Sequence, residues 1–207
     1  MYDLINHHIQ IILQSIPRAY VTDYDWLVQN VHQVNTPQYQ TQYRIYWGMN
    51  TARLSGPYCD AYFQELHSAL ANPTALGSLA AKLYETATHA GGRQTLQFSF
   101  ATKLLHTADR QTPIYDSFVA AFYFFQPPDS DRPLQDRING LVAFHDFLSA
   151  EYARVLANGL LASSLLAFRS QFEPQHFTDV KIIDLLIWAY VDLLNKGGLM
   201  EGRIVFR

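Results

Sequence analysis

Apolar residues recur at three- and four-residue spacing along most of the chain, and proline or glycine interrupts them at short intervals. A pattern of that kind admits a stack of amphipathic helices and little else. Leu4, Ile5, Ile9, Ile12, Leu13 and Ile16 mark a first helix, stopped by Pro17. Thr22 or Asp23 has the chemistry of a cap for a second, which carries Trp26, Leu27, Val31 and Val34. Pro37 opens a third that runs through Tyr43, Tyr46 and Trp47 towards Arg53. After the break at Ser55, Gly56 and Pro57, the spacing predicts helices from Tyr58 to Leu70 and from Thr74 to His89, the latter ended by Gly91 and Gly92. A sixth is expected from Thr95 to Thr107 and a seventh from Asp116 to Phe125. Gln126 to Pro133 reads as a proline-rich loop, followed by helices at Leu134 to Leu156, Leu160 to Phe172 and Val180 to Leu194. The tail Arg203-Ile204-Val205-Phe206 has strand-like composition. The fold class expected is all-α, a single domain of about ten helices over residues 1–207.

Composition narrows the function. The chain is 49% hydrophobic and 16% charged, which suits a folded core and not a disordered segment. The amino terminus carries Asp3, His7 and His8 within its apolar pattern and fits neither a signal peptide nor a membrane span. A lone cysteine, Cys59, makes no internal disulfide, and the scattered histidines have no metal-site spacing, so a cytoplasmic protein without metal or other cofactor is expected. The net charge of −3 argues against a broadly basic nucleic-acid surface but leaves room for a local patch. Arg93, Lys103 and Arg110, with His106 beside them, form such a cluster in sequence.

The stretch from Gly91 to His106, followed by Pro113-Ile114-Tyr115-Asp116-Ser117, carries the most chemistry. Ser99, Lys103 and His106 gather opposite a broad apolar face, with Lys103 at its edge, where a lysine can look into a cleft. Asp116 opens a helix after a proline turn. There it accepts backbone N–H bonds and should remain ionised, as a cap alone or as a fixed negative charge beside a sugar that turns cationic in its transition state. Lys103 reads as an amine nucleophile or a phosphate grip, or simply as a solvated helix lysine.

The order of these features, a glycine-bearing turn, a lysine-bearing helix and a Pro-x-x-Asp segment opening the next helix, resembles the helix-hairpin-helix DNA glycosylase superfamily. The run Phe98 to His106 with Pro113 to Ser117 looks similar to small bacterial proteins of 8-oxoguanine-glycosylase-like fold. The resemblance spans about thirty residues and implies an all-helical fold with a hairpin-type turn before a central helix, and a cleft near residues 91–118 between two lobes. It implies Gly91 and Gly92 as the hairpin, Asp116 as the essential carboxylate and Lys103 as the lysine. The hairpin lacks a hydrophobic-Gly-hydrophobic-Gly pattern. Lys103 and Asp116 are thirteen residues apart, closer than the superfamily's pair, which favours a monofunctional hydrolase over a lyase. The size and helical character are also compatible with a bacterial antiphage glycosylase acting on glucosylated hydroxymethylcytosine, which adds that base as a candidate substrate.

On this reading the partner is double-stranded DNA with a modified base, with no membrane and no obligatory protein partner. Gly91, Gly92, Arg93, Arg110 and His106 would contact DNA. Tyr115, Trp47, Tyr46 and Asn50 would form the pocket for an extruded base. Arg132 and Arg137 flank the proline loop as phosphate contacts or solvated surface, and Trp188 and Tyr190 read as packing residues of the last helix. The rival reading is a catalytically silent helical module that binds nucleic acid without releasing a base. A helical toxin-type ribonuclease is disfavoured, because no arginine precedes a histidine by four to six residues on one helix.

Overall fold

The computed structural model describes residues 1–199. Their regular structure is helical throughout: α1 (Tyr2–His7), α2 (Ile9–Ser15), α3 (Arg18–Gln29), a 3-10 turn (Val31–Gln33), α4 (Pro37–Tyr46), α5 (Gly56–Ala71), α6 (Leu76–Tyr84), α7 (Phe98–Ala108), α8 (Ser117–Phe122), α9 (Leu134–Ala157), α10 (Ala162–Phe172) and α11 (Asp179–Asn195). The strand-like tail lies outside the described residues. No described helix is long and apolar enough to cross a membrane.

Side chains set four of the helix starts among the described residues, that of α8 by Asp116. Thr36, Ser55 and Thr178 accept the backbone N–H of Tyr39, Tyr58 and Lys181, satisfying donors that a helix start leaves open. The first expected helix is two, divided at His8, and α3 begins at Arg18 because Pro17 holds the extended conformation before it. Thr22 is not a cap; its hydroxyl bonds back to Ala19 O inside α3. The helix expected to run to His89 ends at Tyr84. Beyond it Thr88 and Thr95 exchange bonds, Thr95 N–H to Thr88 Oγ1 at 3.0 Å and Thr88 Oγ1 to Thr95 O at 3.0 Å, an alternative to the helical ladder. His89 N–H closes on Arg93 O, so Gly91 and Gly92, both at φ 82°, turn an extended hairpin instead of ending a helix.

Helix α11 lies at the centre. It is buried nearly all round and packs against α1, α2, α8, α9 and α10, as expected of a helix with apolar residues on every face. Helix α7 packs on α5 and α6, α6 also on α9, and α3 on α4. A cleft opens where α7, the start of α8, α9 and α11 converge.

Candidate active site

The turn Thr112-Pro113-Ile114-Tyr115 is pinned residue by residue. His106 Nδ1 lies 2.7 Å from Thr112 O, and because a carbonyl only accepts, that nitrogen carries the proton. His106 Nε2 is then the acceptor for Tyr24 Oη–H at 2.7 Å. His145 Nε2 donates to Pro113 O at 2.9 Å, Ile114 N–H donates to Asp184 Oδ2 at 3.1 Å, and Tyr115 N–H donates to Thr102 Oγ1 at 3.1 Å. Side chains of α7, α9 and α11 therefore fix the backbone that delivers Asp116.

Asp116 caps α8 through Oδ1 alone, which accepts Phe118 N–H at 2.9 Å and Val119 N–H at 2.8 Å. Oδ2 makes no bond among the described residues. The residue lines both chambers of the cleft, an outer one of about 500 Å³ and an inner one of about 190 Å³, and Lys103 and Trp188 line both with it. Burial raises the basicity of Asp116 despite its two N–H bonds and the nearby Lys103 and Lys181.

Lys103 Nζ lies 4.8 Å from the Phe100 ring centroid and 5.7 Å from that of Trp47, and reaches Trp47 O at 3.4 Å. Burial lowers its pKa, partly offset by Asp116. No ion pair within 4.0 Å joins the two. The outer chamber adds Arg137, Ser99, Ser117 and Tyr115, beneath Pro127 and Pro128. The inner chamber is walled by Tyr20, Tyr46, Trp47 and Trp188, and Trp188 lies parallel to Tyr20 with ring centroids 6.4 Å apart.

Two charged side chains of α11 face this inner space. Lys181 is 3% exposed, its Nζ 4.7 Å from the Trp47 ring centroid and 5.2 Å from that of Tyr24. Asp184 accepts Tyr152 Oη–H at 2.8 Å as well as Ile114 N–H, so both oxygens act as acceptors, the pattern of an ionised carboxylate opposite the Lys181 ammonium. Burial pushes the Asp184 pKa up and that of Lys181 down, each restrained by the other's charge.

Of the residues singled out from the sequence, Asp116, Lys103, Tyr115, Tyr46 and Trp47 line the chambers of this cleft. Asn50 is not there. Trp47 ends α4, and Gly48, at φ 73°, reverses the chain with Met49 N–H bonded to Arg44 O, so helical spacing is lost and Asn50 is exposed. His106, expected at a DNA contact, is fully buried and holds the Thr112 turn. Arg110 is exposed beside a separate cavity, its guanidinium donating to His176 O. Gly91, Gly92 and Arg93 are exposed on the hairpin, outside the residues lining either chamber. Lys181, Asp184 and the cleft position of Trp188 were missed. The available signal was a lysine and an aspartate three residues apart inside an otherwise apolar helix. Comparison with protein-family models, with curated proteins and with solved structures finds no match.

Proposed function

We propose that this protein is a DNA glycosylase that hydrolyses the N-glycosidic bond of a modified or damaged base, with Asp116 as the essential carboxylate. The observation that supports it most is the junction itself: a desolvated carboxylate, held through one oxygen and open at the other, between an aromatic-walled chamber of base-like size and a wider chamber lined by cations. A base flipped from the duplex would occupy the inner chamber between aromatic faces. The sugar would then lie near Asp116, whose negative charge opposes the cationic character of the transition state and whose raised basicity suits taking a proton from the attacking water. Lys103 and Arg137 would meet the flanking phosphates. The modified base would be a product of damage or a phage-type modification, the latter placing the protein in antiphage defence.

The lowered pKa of Lys103 supports a second reading, in which its neutral amine attacks the sugar carbon as the base departs. Duplexes carrying oxidised, alkylated, deaminated or glucosylated bases decide between them. Abasic sites that need alkali for strand cleavage are expected of the hydrolase. Strand cleavage without alkali, with a borohydride-trapped adduct lost in Lys103→Ala, would favour the amine route. DNA binding without release from any substrate would favour the silent module.

A further inference from the structure

The inner chamber contains a cation that the proposed chemistry leaves unused. Lys181 is buried, and its Nζ ends within 5.9 Å of four ring centroids, those of Tyr20, Tyr24, Tyr46 and Trp47. Its Nζ makes no hydrogen bond and no ion pair among the described residues. An ammonium has three N–H donors, and aromatic faces attract its charge without giving those donors an oxygen. Asp184, one turn along α11, balances the charge, but its oxygens bond Tyr152 and the Ile114 N–H and form no ion pair with Lys181 within 4.0 Å. What the chamber offers its occupant is therefore aromatic walls and unfilled donors.

We infer that Lys181 is a specificity-determining residue: it donates to a ring carbonyl oxygen of the base in the inner chamber and so selects keto bases over their amino counterparts. The inference rests on the glycosylase reading. An exocyclic amine at the same place would set N–H donors against an ammonium, so discrimination comes from rejection as much as from attraction. A site built to bond a polar group discriminates strongly, because an unmatched occupant leaves buried groups unpaired.

Titration calorimetry with free hypoxanthine against adenine, and uracil against cytosine, tests this on the full chain. The wild type should prefer the keto member of whichever pair binds by roughly tenfold or more. The double variant Lys181→Met with Asp184→Asn, which strands no lone charge, should lose the preference while melting cooperatively. Lys181→Gln, retaining N–H donors without the charge, should keep part of it. A preference for the amino member, a keto preference unchanged in the folded variants, or no binding of either pair to wild type would overturn the inference. Abasic-site formation is scored separately, so a protein that releases a base without keto selectivity overturns this inference and leaves the glycosylase reading standing.

Discussion

His106 is held in one tautomer, with Nδ1–H on the Thr112 carbonyl and Nε2 receiving the Tyr24 hydroxyl, and burial pushes its pKa down to about 3. Protonation would reverse the Tyr24 bond, with Nε2–H donating to the hydroxyl oxygen, and leave a charge in the core. Between pH 3 and 6.5 the unfolded chain holds more protons at this residue than the folded one. Stability from this group is therefore present above the unfolded pKa and falls by about 1.4 kcal/mol per pH unit as pH drops through that window. Asp116 works in the opposite sense: its pKa is raised, so its contribution is greatest at low pH and declines as pH rises through the folded value. Denaturant melts of wild type and His106→Gln separate the two. The variant should be less stable at pH 7, by about 1–3 kcal/mol for the bonds lost, and its acid slope should be shallower. Parallel slopes would contradict the neutral, doubly bonded imidazole. The buried state of His106 was hard to read from sequence, because Lys103 and His106 share a helix flank and only the fold decides that one faces the cleft and the other Tyr24.

Glycines in two helices make the packing around the cleft testable. A methyl at Gly77 in α6 would rest 3.6 Å from Ile138 Cγ2, an ordinary contact, whereas one at Gly140 in α9 would come within 2.8 Å of Pro128 Cγ. Gly77→Ala should gain about 0.5–1 kcal/mol from helix propensity. Gly140→Ala should lose that gain to overpacking and displace the proline loop that roofs the outer chamber. Thermal melts compare the two, and an equal rise in Tm would contradict this packing. At this scale many elements were legible: the start of α4, and α5, α7, α9, α10 and α11, lie close to where apolar spacing, prolines and glycines put them. The segment 85–97 was not, because its bonds are a local Thr88–Thr95 exchange and a Thr88 carbonyl accepting Ser55 N–H. Apolar periodicity carries no record of such pairing.

Over the whole molecule, a net charge of −3 coexists with a cleft where Lys103, Lys181 and Arg137 face Asp116 and Asp184. The ion pairs among the described residues, Lys82 with Glu65, Arg154 with Glu151, Arg169 with Asp179 and Lys196 with Asp192, involve none of these groups. Positive charge is thus local, and DNA binding should respond weakly to salt. With the two phosphate contacts proposed, affinity should fall roughly twelvefold between about 50 and 200 mM salt, against a thousandfold or more for a broadly basic binder. A steep slope would point to an extended interface elsewhere. The cleft was half legible in the sequence. Asp116 and Lys103 stand in a recognisable order, but Lys181, Asp184 and Trp188 reach it from a helix whose apolar composition reads as core.

The central claim is that the Asp116 charge drives cleavage of a glycosidic bond, and single-turnover base release by wild type and Asp116→Asn tests it most directly. Asparagine caps a helix about as well as aspartate, so the variant keeps α8 and removes only the charge. The account predicts release by the wild type and a rate lower by roughly a hundredfold or more in the variant, with DNA binding retained. Release at an undiminished rate by a folded Asp116→Asn would contradict it.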